Sequence, residues 1–358
     1  MKAKSGVHQI LPNLAYGDAI GNEVFAIRDK LRSQGFESEI FAGIIHPRLM
    51  EEAHEYKAYR DYSSSDNILI YHFSVGSEIA EYVSTLPDRL VVLYHNVTPP
   101  RWFDGINPHM VELSVRGEME LKELASCASA AWADSTFNAS RMEDLGYPAP
   151  KVLPIVTSFD AFSSRGCHLT KKMWKRPGVS TILFVGRVSP NKCHEDLIRA
   201  YAAYRRWGTG RGRLICVGDY NNCRKYYDSL RILIRELRVP DVYFTGMVTF
   251  DELLAFYRIA DLFFCMSRHE GFCVPLLEAF TLGIPVAAYH AGAVSETMDG
   301  AGVLIKTEDP VVIGELLDKL LHDKHLRKNI IKDQYQRMER YSSIDLGLRL
   351  QTLIEQVP

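Results

Sequence analysis

The stretch Glu270-Gly271-Phe272-Cys273-Val274-Pro275-Leu276-Leu277-Glu278 follows an apolar run, Ala260 to Met266, and leads into a helix whose start is marked by Pro275. Proline suits the first helical position because no intrahelical donor is lost there, so the backbone amides around it are free to face an anion. Glu270 then lies in the loop and Glu278 in the first helical turn, where both carboxylates can accept hydrogen bonds from hydroxyls of one ligand. A ligand carrying phosphate and several hydroxyls fits this layout. The same carboxylates also complement a helix dipole without any ligand.

A second strand-loop-helix unit lies upstream. Thr181-Ile182-Leu183-Phe184-Val185-Gly186 reads as a buried strand, Arg187 and Lys192 occupy the loop after it, and Ser189-Pro190 supplies a cap and a first helical position. Two cations beside a helix N-terminus make a diphosphate site without a metal. Alone, such a pair is commonly solvated surface. Beside the Glu-rich turn it forms a constellation.

Working outward, strands are expected near residues 181-185, 213-217, 242-245, 261-265, 285-289 and 303-305, alternating with helical patterns. The first half repeats the alternation, with strands at Val7-Leu11, Glu39-Ala42, Ile68-Tyr71, Leu90-Tyr94, Ala130-Ala133 and Lys151-Ile155. Alternating strands and helices predict parallel sheets covered on both faces. Ligands of such sheets bind at the carboxyl ends of the strands, where Arg187, Lys192, Glu270 and Glu278 all fall.

Composition agrees with two globular α/β domains: 358 residues, 47% apolar and 24% charged. The expected division is an N-terminal domain over 1-162, a linker over 163-180, a second domain over 181-340, and a C-terminal helix over 341-358. The linker carries Arg165, Lys171, Lys172, Lys175 and Arg176, a charge run read as a solvated connector. A formal net charge of -2 argues against a generally nucleic-acid-binding surface, and no nucleic-acid partner is expected.

The seven cysteines are scattered, odd in number and without a C-x-x-C pair, which reads as reduced thiols with no zinc site or disulfide framework. Met1 to Gly17 lacks a charged segment followed by a long apolar run, and no stretch approaches the length of a membrane span, so a cytoplasmic location is expected. No D-x-D occurs in the chain. The usual carboxylate pair for a metal-held nucleotide diphosphate is thus absent, and neither a metal nor a cofactor is expected.

The chain resembles the retaining GT-B glycosyltransferases of family 4, the glycosyl transferases group 1. The signatures that carry the resemblance run in family order: Phe184-Val185-Gly186-Arg187 with Lys192, Gly218-Asp219, Phe244-Thr245-Gly246, and Ala260-Asp261-Leu262 leading into Glu270-Gly271-Phe272. Pro275-Leu276-Leu277-Glu278-Ala279, Gly283-Ile284-Pro285-Val286 and Gly292-Ala293-Val294-Ser295-Glu296-Thr297 follow. The N-terminal half is similar more loosely. The resemblance implies two Rossmann-like domains facing each other across a cleft, with the last helix, about Ser343 to Gln356, packing back on the N-terminal domain.

It also implies roles. Arg187 and Lys192 would stabilise the departing diphosphate, Glu270 would hold hydroxyls of the transferred sugar, and Glu278 those of the ribose. Gly271, Phe272, Cys273 and Val274 would offer backbone amides to sugar and phosphate, while the base would lie near Gly218 and Met247. His95, at the end of the strand Leu90-Val91-Val92-Leu93-Tyr94, would stand near the transferred sugar, with His72 a weaker acceptor-side candidate. Gly17 and Asp18 form a turn where relatives commonly have a Gly-Gly pair; Asp18 either touches an acceptor hydroxyl or caps the helix. Tyr16, Phe73, Trp102 and Phe103 are candidates for a carbohydrate-lined cleft. Pro154 to Asp160 replaces an Asn-Gly-Val-Asp stretch of many relatives.

The implied reaction is transfer of a sugar, with retention, from a nucleotide-sugar donor to a carbohydrate or lipid-linked acceptor, in polysaccharide or glycolipid assembly. It leaves room for peripheral contact with the inner face of the membrane. The rival readings are a nucleotide-sugar epimerase or phosphorylase on the same architecture, and an inactive partner subunit.

Overall fold

The computed structural model describes residues 6–155, 159–163 and 166–358. Val156, Thr157, Ser158 and Arg165 lie outside the described residues. The chain forms two compact units: Met1–Arg101 with His109–Ser158 and Ile344–Pro358, and Trp102–Pro108 with Phe159–Ser343.

The first unit is built on a seven-stranded sheet: β1 (Val7–Leu14), β2 (Ile40–Ile45), β3 (His54–Glu55), β4 (Ile68–Phe73), β5 (Arg89–Tyr94), β6 (Ala130–Ala133) and β7 (Lys151–Val152), in the order β3-β2-β1-β4-β5-β6-β7. Every pairing is parallel. All six positions of β4 are buried, as a strand covered on both faces requires. Its side chains alternate by the two-residue period: Leu69, Tyr71 and Phe73 enter one apolar cluster, Ile68 and Ile70 the other. The two-residue β3 is the one strand the alternation did not announce, because two exposed residues carry no pattern.

The second unit holds six parallel strands: β8 (Ser180–Val185), β9 (Gly212–Val217), β10 (Val242–Phe244), β11 (Leu262–Cys265), β12 (Val286–Tyr289) and β13 (Val303–Ile305), in the order β10-β9-β8-β11-β12-β13. The order reverses between β8 and β11. Chain segments leaving those two strands diverge to opposite sides of the sheet, and the crevice left between them is the ligand position of open α/β sheets.

Two boundaries differ from expectation. The charged segment expected as a solvated linker contains a helix, His168–Trp174, belonging to the second unit. Trp174 explains it: the indole packs edge-on against Tyr243 and Phe256, and Cys167 N–H donates to Asp251 C=O at 2.8 Å. At the other end, the expected last helix from about Ser343 is present and starts at Leu346, so the second unit runs to Ser343 and not to 340. Lys324–Ser343 finishes the second unit, and Asp345 then caps a new helix, Leu346–Glu355, by accepting from Leu348 N–H at 2.9 Å.

That last helix is part of the first unit's core. Leu350, Leu353, Ile354 and Val357 pack with Val7, Ile27, Leu31 and Trp132. Gln34 donates to Gly347 C=O at 3.0 Å, and Arg349 reaches Val152 C=O at 3.1 Å.

Candidate active site

The crevice of the second unit is made by loops that only glycine permits to approach one another. Gly218, at the end of β9, has φ +149, and a Cβ there would stand 2.1 Å from Gly186 C=O at the end of β8. Gly218 N–H donates to Gly246 C=O at 3.2 Å, bringing in the loop after β10 that carries Met247, which is 76% exposed. Val188 N–H donates to Asp219 C=O at 2.8 Å. The ends of β8, β9 and β10 are thereby locked as one floor.

On that floor the structure pairs two residues that the sequence suggested would act separately. Lys192 Nζ lies 2.7 Å from both carboxylate oxygens of Glu270. Burial is the largest influence and opposes the charge on Lys192, but the Glu270 carboxylate together with Cys273 and Cys265 outweighs it, and the amine is held above its ordinary pKa. Arg187 is exposed and makes no ion pair among the described residues. It is the unspent cation of the site.

Glu278 also differs in detail. The helix starts at Val274, so Glu278 falls in its second turn, not the first. Its carboxylate accepts from the Tyr257 hydroxyl at 2.5 Å. Burial pushes the Glu278 carboxyl up to about 7, against the opposing pull of the Tyr257 hydrogen bond.

The loop between Glu270 and that helix is tied on both sides. Asn191 donates to His269 C=O at 3.2 Å and its own C=O accepts from Arg268 N–H at 2.9 Å. From the opposite side, Ala293 N–H donates to Glu270 C=O at 3.0 Å, and the Thr297 hydroxyl donates to Phe272 C=O. A Cβ on Gly292 would come within 2.4 Å of Glu270 C=O. Gly271 and Val274 are half-buried, and Cys273 takes the left-handed conformation, φ 75, as it turns the chain into the helix. Asn191, Tyr257, Gly292 and Thr297 were not read as site residues. The only signal for Asn191 was its place between Pro190 and Lys192.

The first unit's candidates fall into two groups. Gly17 has φ +77, and Asp18 caps the helix Ala19–Ser33 by accepting from Gly21 N–H at 2.7 Å. The cap is thus the observed role of Asp18. His95 and His72 are interior residues. His95, with a side chain 1% exposed, has Nδ1 at 3.5 Å from Asp134 and 3.7 Å from Glu23, so in this structure the ring does not open to a ligand. Its Nε2 lies 2.9 Å from His72 Nδ1, and His72 Nε2 lies 3.0 Å from Gln9 Oε1.

The protons of this chain can be assigned. Gln9 Nε2 donates to Val24 C=O, which turns its Oε1 to His72. His72 therefore donates from Nε2 and accepts at Nδ1 from His95. Burial would lower the His95 pKa, but the Asp134 and Glu23 carboxylates together raise it, while burial and His95 hold His72 neutral.

Two aromatic candidates are corrected. Phe73 and Phe103 are 0% and 3% exposed and belong to the core; their positions at strand and turn ends did not reveal that their rings point inward. Tyr16 is 47% exposed and packs beside His46. Among the described residues no helix is long and apolar enough to cross a membrane.

Comparison with known proteins follows the same division. Residues 170–337 match the family Glycosyl transferases group 1. A D-inositol 3-phosphate glycosyltransferase of Salinispora arenicola (strain CNS-205) is 37% identical over 156 residues, 42% of this chain and 35% of that protein. A GDP-mannose-dependent alpha-(1-6)-phosphatidylinositol monomannoside mannosyltransferase of Mycobacterium tuberculosis is 30% identical over 163 residues, 43% of this chain and 40% of that protein. The match thus spans well under half the length of these curated relatives. Among solved structures, HepE of Anabaena in complex with UDP and glucose superposes with a TM-score of 0.75 at 16% identity, covering 97% of this chain and 99% of that one. Sucrose-phosphate synthase of Thermosynechococcus elongatus gives 0.75 at 15% identity over 98% of both chains. At such identities the likeness concerns the fold, which is GT-B, with two Rossmann-like units in one chain. The stretch that holds Arg187, Lys192, Glu270 and Glu278, residues 170–337, is thus the part of this chain that is similar to the Glycosyl transferases group 1 family.

Proposed function

We propose that this protein is a retaining, metal-independent hexosyltransferase that moves a sugar from a nucleotide-sugar donor to an acceptor hydroxyl, in polysaccharide or glycolipid assembly. The observation that carries the reading is the buried Lys192–Glu270 pair beside Glu278 and the helix N-terminus at Val274, all at the reversal point of the second sheet. Lys192 spends two N–H groups on Glu270 and has a third for a β-phosphate oxygen. Glu270 retains lone pairs for sugar hydroxyls. Arg187 and the helix N-terminus complete the stabilisation of charge as the nucleoside diphosphate leaves; one such donor typically accounts for about 3-4 kcal/mol. Glu278 accepts from the ribose.

Retention is inferred from likeness to the family, with the leaving phosphate assisting deprotonation of the acceptor on the same face. Metal independence is supported by Lys192 and Arg187, cations that can supply the charge a carboxylate-held metal would otherwise bring. Relatives named for inositol and phosphatidylinositol acceptors suggest a glycolipid or polyol setting at the membrane's inner face. The test is thermal stabilisation by UDP, GDP, ADP and their sugars with EDTA present, beside Glu278→Ala. A shift with one nucleotide that survives EDTA and disappears in the variant supports the reading and selects the base. No shift from any nucleotide overturns it and leaves the inactive-subunit alternative.

A further inference from the structure

The cysteines looked scattered in sequence, but two of them meet at the site. Cys265 ends β11 and Cys273 caps the helix Val274–Thr281, and their sulfurs and a Glu270 carboxylate oxygen all lie within 4.8 Å of one another. Cys265 is buried, Glu270 is 7% exposed, and Cys273 is half-buried. From this cluster we propose a binding site for one thiophilic divalent cation of the Zn²⁺ class, ligated by Cys265 Sγ, Cys273 Sγ and Glu270, whose occupation excludes the donor.

The chemistry is consistent with the charges present. Tetrahedral Zn²⁺ holds sulfur at about 2.3 Å and carboxylate oxygen at about 2.0–2.2 Å, which places its ligand atoms about 3.3–3.8 Å apart. Modest closure of the observed triangle meets that requirement. Binding replaces the two thiol protons, which leave to solvent, by one dication, so the net charge of the buried cluster with Lys192 and Glu270 is unchanged. Three protein ligands leave a fourth position for water. The ligand positions are preorganised, because Glu270 and Phe272 are fixed through their backbone carbonyls by Ala293 and Thr297. A second group, Glu23, His72 and His95, has similar spacing but offers no sulfur to a thiophilic ion, and its ring nitrogens face Gln9, each other and carboxylates; Glu270 in its turn must release a Lys192 contact to take the ion.

Exclusion of the donor rests on the proposed function; ion binding does not. An ion on Glu270 competes with Lys192 and with sugar hydroxyls, and at Cys273 it occupies the loop assigned to sugar and phosphate.

The experiment is titration of the reduced full-length protein with Co²⁺ and with Zn²⁺, without nucleotide. One equivalent of Co²⁺ should give a near-ultraviolet thiolate-to-metal charge-transfer band and release two protons, and Zn²⁺ should displace it. Cys265→Ser and Cys273→Ser should each abolish the band, and Cys127→Ser should keep it, since Cys127 is exposed and distant in the chain. In the unmutated protein Zn²⁺ should protect Cys265 and Cys273 from alkylation at least tenfold, so the proposal stands or falls even where a variant does not fold. No band and no protection overturns the site; a band that persists in both serine variants moves the ion elsewhere. Nucleotide affinity should then fall at least tenfold at saturating Zn²⁺. An intact charge-transfer band with unchanged nucleotide affinity refutes only the exclusion of the donor.

Discussion

At the scale of single residues, the titration of Glu278 gives a signature that is separable from the rest of the site. The carboxyl is raised from 4.5 to about 7 by burial. Between those values the folded protein holds a proton that the unfolded chain releases. The group's contribution to stability is therefore full below pH 4.5 and is lost as pH rises through about 7. Ribose hydroxyls need an acceptor, so nucleotide affinity should rise from about pH 6 to about pH 8. Glu278→Gln should flatten that dependence and weaken binding by about 1.5–3 kcal/mol at the upper end. Calorimetric titration of the nucleotide across the interval measures both; an unchanged pH slope in the variant rejects Glu278 as the ribose acceptor. His95 has the opposite chemistry and the same sign of linkage. Its pKa is raised by Asp134 and Glu23 against burial, so its stabilising contribution is present below 6.5 and is lost as pH passes the higher folded value. Asp134→Asn should bring the His95 ring down toward or below 6.5, read from its imidazole resonances. What the sequence disclosed at this scale was residue identity. It did not disclose that Lys192 and Glu270 neutralise each other, because charge pairing across 78 positions depends on how two loops are aimed.

At the scale of elements, the site is a set of loops held against one another by backbone. Thr297→Val removes the buried hydroxyl that donates to Phe272 C=O and leaves that carbonyl unpaired. The expected cost is about 1–3 kcal/mol in stability, with weaker nucleotide binding, since the turn Gly271 to Val274 loses its hydrogen bond to Thr297. Denaturant unfolding and the nucleotide thermal shift report the two effects; loss of stability with binding unchanged denies that this tie shapes the site. Gly218→Ala is more severe. A methyl 2.1 Å from Gly186 C=O at φ +149 forces the β8 and β9 ends apart, and about 3 kcal/mol or more is expected by the same measurements. Element order and strand positions were legible because buried parallel strands are short apolar runs between turn residues. The helix His168–Trp174 was not, because a run of five lysines and arginines hid one anchoring Trp174. The meeting of Cys265 with Cys273 was hidden for a related reason: their separation matches no metal or redox motif, and only the turn from β11 into the following helix brings the two thiols together.

At the scale of the molecule, the chain's last segment, Ile344–Pro358, belongs to the unit that contains its beginning. Four of its apolar side chains, Leu350, Leu353, Ile354 and Val357, complete the core that holds Val7, Leu31 and Trp132. Each buried Leu or Ile removed costs about 2–5 kcal/mol, so their joint loss approaches the whole stability of a typical domain, about 5–15 kcal/mol. The residues proposed to bind the donor, Arg187, Lys192, Glu270 and Glu278, lie in the other unit. Ending the chain after Ser343 should therefore unfold the first unit while the second keeps a cooperative transition and its nucleotide-induced shift. Leu350→Ala in the full chain should lower only the first unit's transition. Scanning calorimetry with and without nucleotide, together with proteolysis mapped by mass, separates the two units. Simultaneous loss of both transitions on truncation would mean that the second unit depends on the first for its folding, and that donor binding, although built from residues of one unit, is a property of the whole chain.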